Sequence, residues 1–354
     1  MAQANPTLPF LPVQTFQAGL LAMLLVSARA DAQWSYGSSG TTAELRGLSA
    51  PSTLVAWASG ARGAVVRTLD AGRTWTSDSA ADFGTLDLRS LHAFGATRAV
   101  AASAGEAEKG LARILATIDG RAWRQVYSTS VTGAFLDAIA FWNASSGLAL
   151  SDPVEGAFLV LRSDDGGRLW SRVPASSLPA VLTGEAAFAA SGSSIALAGD
   201  SLAWIGTGGG GRARVMRSAD RGRTWSVVDV PVHAEGSAAG IFSIAFFDER
   251  HGVAAGGDYT KPRLAANSVA LTADGGRTWR VAKAPPAAYL SGVAYAGRLD
   301  RLVAVGLAGT FVSRDGGDSW ARTDTVALNS VRCAGQRCFA AGPRGRVAVL
   351  DSLP

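Results

Sequence analysis

The chain is 354 residues long, 48% hydrophobic and 17% charged, which supplies a large core and excludes a disordered chain. Its net charge of +5 comes almost wholly from arginine, since Lys109, Lys261 and Lys283 are the only lysines. No basic run interleaved with aromatics marks a nucleic-acid surface. The 42 glycines, and the lack of any apolar run near the ~20 residues of a spanning helix, point away from a transmembrane protein and toward short strands joined by turns.

Residues 1–32 read as a signal peptide. Ala18 to Val26 form a short apolar stretch, followed by the small-x-small patterns Ala28-Arg29-Ala30 and Ala30-Asp31-Ala32. No Lys or Arg precedes the stretch, which departs from the usual basic start. Cleavage after Ala32 would leave residues 33–354 as the mature chain, periplasmic or secreted.

One pattern then recurs: Thr68-Leu-Asp-Ala-Gly-Arg-Thr-Trp75, Ser163-Asp-Asp-Gly-Gly-Arg-Leu-Trp170, Ser218-Ala-Asp-Arg-Gly-Arg-Thr-Trp225, Thr272-Ala-Asp-Gly-Gly-Arg-Thr-Trp279 and Ser313-Arg-Asp-Gly-Gly-Asp-Ser-Trp320, with a shorter copy, Thr117-Ile-Asp-Gly-Arg-Ala-Trp123. The pattern suits a tight turn between strands. Asp70, Asp119, Asp165, Asp220, Asp274 and Asp315 can accept backbone N–H groups, the glycine can take positive φ, and the Trp offers an apolar face. A carboxylate repeated in six units is structural, because one active site needs one or two special carboxylates.

The tryptophans fall 41 to 55 residues apart, the length of a four-stranded propeller blade, and Trp34 extends the series to seven. After Trp320 the chain has strand-like segments only at Leu328 to Cys333, Arg337 to Ala341 and Arg346 to Leu350. Gln33 to Ser38 is expected to supply the missing fourth strand beside Val347 to Leu350. The expected fold is all-β: one domain, residues 33–354, forming a seven-bladed β-propeller of four-stranded antiparallel blades.

Alternating strand direction places the loops between second and third strands on the face opposite the aspartate turns. Those loops are bare at Gly60-Ala-Arg-Gly63, Gly306-Leu-Ala-Gly309 and Gly342-Pro-Arg-Gly345, and longer in blades two to five. The longer ones are Gly105 to Gly110, Ser151 to Gly156, Gly206 to Arg212, and Gly257 to Arg263 with a tail to Ala266. Asp152, Glu155, Arg212, Asp258, Tyr259 and Lys261 lie on them, with Glu185 opening toward the same mouth, and exposed binding residues are expected there. Aligning six innermost strands puts Arg46, Arg89, Asp137, Phe242, Ser291 and Asn329 in equivalent positions, where Arg46 and Arg89 would face Asp137 across the channel as an ion pair. The glycine run 208–211 lacks a following Gly-Lys-Ser/Thr and is not a phosphate loop. Cys333 and Cys338 flank a turn and would be bridged in an oxidising compartment, or else sit reduced and half-buried. With three histidines, His92, His233 and His251, and no CxxC spacing, neither metal nor cofactor is expected.

On its aspartate turns, and on segments such as Leu88-Arg-Ser-Leu91 and Gly306 to Gly317, the chain after residue 33 resembles the Asp-box (BNR) repeat propellers. Within them it resembles the photosystem II stability/assembly factor-like proteins and their bacterial relatives. The resemblance implies a non-catalytic binding propeller that assists assembly of a partner; the longer loops place that binding, of a protein or a carbohydrate, at the mouth on blades two to five, and a monomer is expected. Sialidases and other glycoside hydrolases share these turns, so a carbohydrate-active enzyme is the alternative. Against it, no Arg-Ile-Pro occurs, and Tyr259 beside Asp258 is the sole echo of a tyrosine nucleophile. Two carboxyls among Asp152, Glu185 and Asp258 flanking an open cleft would favour the enzyme.

Overall fold

Runs of four to eight residues rich in Val, Ala, Ile and Leu, punctuated by glycine turns, are too short to bury their faces alone and must stack. The computed structural model describes residues 1–4, 33–78 and 80–353; the apolar stretch and cleavage patterns of the N-terminal segment lie outside the described residues. The chain divides into a unit Met1–Ala30 and a unit Asp31–Pro354, and the second holds the strands.

Seven antiparallel sheets of four strands each make up that unit. Blade 1 comprises Leu45–Ser49, Ala56–Gly60, Val65–Thr68 and Thr76–Ser77; blade 2, Ser90–Ala93, Ala99–Ala102, Arg113–Thr117 and Arg124–Ser128. Blade 3 comprises Leu136–Phe141, Gly147–Val154, Ala157–Ser163 and Ser171–Arg172; blade 4, Ile195–Ala198, Leu202–Thr207, Ala213–Ser218 and Ser226–Val230. Blade 5 comprises Ala239–Phe246, Gly252–Asp258, Val269–Thr272 and Arg280–Val281; blade 6, Gly292–Tyr295, Leu302–Gly306, Gly309–Ser313 and Ala321–Asp324. Blade 7 comprises Ser330–Ala334, Arg337–Ala341, Arg346–Leu350 and, from the other end of the chain, Ser35–Ser38.

The first strand of each blade packs beside the first strand of the next, and that of blade 7 beside that of blade 1, so the ring is closed around a channel. The core lies between blades. Val253, Val269 and Leu271 of blade 5 pack with Leu290, Val293 and Leu302 at blade 6, while Leu45 and Val66 of blade 1 pack with Phe339 and Val347 of blade 7. Closure follows the expected seam: Ser35 pairs with Val349 and Ser38 with Arg346. Trp34 is buried, and its Nε1 donates to Thr310 Oγ1 of blade 6 at 2.9 Å.

Each aspartate turn is a hydrogen-bonded knot. In blade 5, Asp274 Oδ1 accepts from the backbone N–H groups of Arg277 and Thr278 at 3.0 Å, Asp274 Oδ2 accepts from Thr278 Oγ1 at 2.6 Å, and Gly276 N donates to Thr272 Oγ1 at 3.0 Å. Gly276 has φ +79°, and a Cβ there would meet Trp204 Nε1 at 2.7 Å, so the turn needs glycine both for conformation and for contact with blade 4. The shorter copy closes one residue earlier, with Asp119 Oδ1 accepting from Arg121 N and Ala122 N at 2.9 Å. Asp274→Ala strips four acceptor bonds, the fourth from Thr272 Oγ1, and is expected to cost about 1–3 kcal/mol, read as a lowered urea midpoint with an unchanged denaturant slope.

Candidate binding site in the central channel

The strand of blade 4 nearest the axis is interrupted. Ala186 bridges Gly208 just past the second strand, and Gly206 N donates to Ser194 O. Between those pairings the chain loops out from Ala187 to Ser193 and crosses the channel, where it meets all six other blades. Arg46 Nη1 of blade 1 donates to Ala190 O at 3.2 Å, and Ser90 of blade 2 lies 2.6 Å from where a Cβ on Gly192 would sit. Asp152 Oδ1 of blade 3 accepts from Ala187 N at 2.9 Å, and Ser243 Oγ of blade 5 accepts from Ser193 Oγ at 2.8 Å. Ser191 Oγ donates to Ser291 O beside blade 6 at 2.6 Å, and Arg332 Nη2 of blade 7 donates to Gly192 O at 3.2 Å. Gly192, at φ +63°, has no room for a side chain against Ser90, and Ser191, Ser193 and Ser194 are fully enclosed. The excursion is a stopper that splits the channel into two cups.

The upper cup, on the face away from the aspartate turns, encloses about 350 Å³. All six residues of the inner-strand alignment line it: Arg46, Arg89, Asp137, Phe242, Ser291 and Asn329. One wall is aromatic. Phe188 of the stopper stacks on Phe242 at 3.9 Å between ring centroids, and Tyr289 and Tyr259 meet Phe242 edge-on at 4.8 and 6.0 Å.

The expected ion pair across the channel does not form. Arg46 pairs with Glu44 at 2.6 Å and Arg89 with Asp87 at 2.6 Å, each taking the acid two residues earlier, which the chain itself holds within reach. Asp137 is left buried with Oδ2 unpartnered. Burial, and secondarily the charge of Asp152, push its carboxyl well above the usual range, against the pull of Arg89 and the Asp152 amide. Burial likewise raises Asp152 to about 6, with the bond from Ala187 N–H holding it back.

Exposure was expected for the mouth residues, and two of them overturn it. Glu185 is buried in a bidentate pair with Arg214, where Arg214 Nε donates to Oε1 at 2.9 Å, and it also accepts from Thr207 Oγ1 at 2.6 Å and Leu182 N at 2.9 Å. Asp258 is buried as well, accepting from Thr260 N at 2.9 Å and Thr260 Oγ1 at 2.6 Å to close its own turn, with Lys261 Nζ 3.5 Å away. Glu155 sits at the tip of the blade 3 hairpin, paired with Arg172 at 3.0 Å, and Arg212 pairs with Asp229 at 3.0 Å on the surface. Lys261 lines a shallow neighbouring depression with Leu264 and Leu307. Of the elaborated loops, therefore, Asp152 and Tyr259 reach the cup. Glu185 and Asp258 are both engaged, so Asp137 with Asp152, rather than any pair of the expected three, is the carboxyl pair facing it. Cys333 lies opposite Cys338 in blade 7, and their sulfurs are joined.

The fold and cup define a seven-bladed β-propeller with a stoppered channel. Among solved structures, the chain is similar to YCF48 bound to a D1 peptide, with 16% identity, a TM-score of 0.63, and coverage of 90% of this chain and 96% of that one. It is also similar to YCF48 from Cyanidioschyzon merolae, with 15% identity, a TM-score of 0.61, and coverage of 90% and 99%. The WD40 propeller domain of Doa1 matches at 10% identity and a TM-score of 0.54, covering 90% and 97%. At these identities the likeness is one of fold. No protein-family model and no curated protein matches the sequence.

Proposed function

We propose that this chain is a binding propeller that holds an extended segment of a protein partner in its upper cup, with the partner contributing a basic side chain. The carrying observation is the uncompensated pair Asp137 and Asp152 beside the shelf of Phe188, Phe242, Tyr259 and Tyr289, while Arg46 and Arg89 are already neutralised by their own acids. A guanidinium or ammonium gains from aromatic faces and from carboxylates in one place. YCF48 bound to a D1 peptide is a propeller of the same fold that receives a peptide, which supports a protein as the partner. The cross-strand disulfide supports an oxidising compartment, and with it the reading of residues 1–32 as an export signal.

Anisotropy of labelled hexapeptides with Phe-Arg, Phe-Gln or Phe-Glu at their centre tests this. The Phe-Arg peptide should bind at least about tenfold tighter than Phe-Glu, and Asp152→Asn or Tyr259→Ala should remove most of that difference. Asp152 is protonated below about pH 6 and ionised above it, so Phe-Arg binding should strengthen from pH 5 to 7.5. Equal binding of the three peptides would refute the reading. A second reading, a glycoside hydrolase, is favoured by the same carboxyl pair, since Asp152 at about 6 suits a general acid. Turnover of aryl glycosides that is lost in Asp152→Asn would establish it instead.

A further inference from the structure

Below the stopper lies the second cup, which opens on the face of the aspartate turns and encloses about 320 Å³. The first strand of every blade is the terminal strand of its sheet, so its free edge, with backbone N–H and C=O groups, borders the bore. Side chains such as Leu48, Leu91 and Ile139 belong to the cores between blades. The surface left accessible in the cup is therefore mostly polar.

Its charge has one sign. Blade 7 sends Arg332 into the bore, where Nη2 donates to Gly192 O of the stopper at 3.2 Å and the rest of the guanidinium has no partner among the described residues. No Asp or Glu is among the lining residues. Elsewhere in the interior, arginines are matched by acids, as Arg67 is by Asp78 and Arg214 by Glu185. Burial pushes Arg332 down to about 10, and no carboxylate among the described residues pulls it back. His92 of blade 2 lines the same cup, set against Phe94 and Phe141 at 4.9 and 5.2 Å between ring centroids. Burial, then the charges of Arg332 and Arg98, pull His92 down to about 4, so the ring is neutral and carries one N–H. Arg98 is itself occupied by Ala144 O, Gly166 O and the Phe94 ring, which leaves Arg332 as the cation of the cup.

We propose that the lower cup is a binding site for a compact oxyanion of the sulfate or phosphate class, held by Arg332 with His92 supplying a further N–H. Such an ion gives Arg332 the balance that Arg67 and Arg214 take from acids of the chain. A guanidinium with free donors matches its oxygens with paired, charge-assisted bonds. The polar walls can bond the remaining oxygens directly or through water, whereas an anion with a hydrocarbon body would set that body against backbone amides. The site is separate from the upper cup and does not depend on the reading given to it.

Calorimetric titration of the full chain at low ionic strength with sulfate, phosphate and hexanoate tests the proposal. Sulfate or phosphate should bind at a single site, with hexanoate at least about tenfold weaker. Arg332→Gln should lose at least about tenfold in affinity for the ion, and Arg332→Lys, which keeps the charge, should retain part of it, with a melting curve for each variant to establish that it is folded. Should Arg332→Gln fail to fold, the His92 ring resonances of the unaltered chain decide. A bound anion should shift them and raise His92 from about 4, and resonances unmoved by either ion would refute the site. Glycerol phosphate separates two sources of the same chemistry: binding tighter than inorganic phosphate points to a phosphate ester, and weaker binding to the free ion. No saturable binding of sulfate or phosphate, hexanoate binding as tight as theirs, or full affinity in a folded Arg332→Gln protein would overturn the proposal.

Discussion

Removal of Gln33–Ser38 is expected to lower stability by roughly 3–5 kcal/mol and to promote self-association. Two losses combine. The third strand of blade 7, Arg346–Leu350, loses its four-residue partner and becomes an exposed edge with unpaired N–H and C=O groups. Trp34 leaves a site where its ring is buried among Val303, Val312 and Leu350 and its Nε1 is bonded to Thr310. Trp34→Ala, which keeps the backbone pairing, should account for the larger part, since a buried Trp truncated to Ala costs about 3–5 kcal/mol. Urea unfolding and light scattering measure the two consequences separately. An unchanged midpoint in the truncated chain would mean that the seam does not hold the ring.

Glu185→Ala should be comparably damaging, by about 3–5 kcal/mol, because it strands the Arg214 guanidinium in a dry interior. Glu185 also accepts from Thr207 and from the Leu182 amide, so both the second strand of blade 4 and the approach to the stopper lose an anchor. Replacing both partners, Glu185→Leu with Arg214→Met, should recover much of the loss, since a buried ion pair is worth little more than well-packed apolar groups. Chemical denaturation of the three variants provides the comparison. A Glu185→Ala protein as stable as the parent would return Glu185 to the role of an exposed ligand.

That contrast marks where the sequence was readable. Turn chemistry is local, so the repeated Asp, Gly and Trp positions disclosed the blades, and the want of a fourth strand after Trp320 disclosed the seam. The inner-strand alignment was informative for the same reason: equivalent positions in equivalent strands face the same axis, and all six residues so aligned line one cup. Pairing was harder to read. Arg46 and Arg89 reach acids two residues earlier in the chain because these are nearer than the far side of a channel whose bore no sequence states. Glu185 looked exposed because it precedes a strand, while its burial comes from Arg214, 29 positions away. The stopper left one legible trace. The inner-strand pattern has no clear copy in blade 4, and in its place stands a run of alanine, serine and glycine from Ala186 to Ser194, broken only by Phe188. Such residues read as a surface loop; their small volume is what lets the segment thread a narrow bore.

In arrays of repeats each unit ordinarily answers only to its two neighbours, so parts of the chain can melt while others persist. Here the middle blade carries a segment bonded to blades 1, 6 and 7 as well as to those beside it. Losing any one blade therefore withdraws a partner from a hub that the remaining blades share. Nearest-neighbour coupling gives way to all-to-one coupling, and the seven blades are expected to unfold as a single cooperative unit.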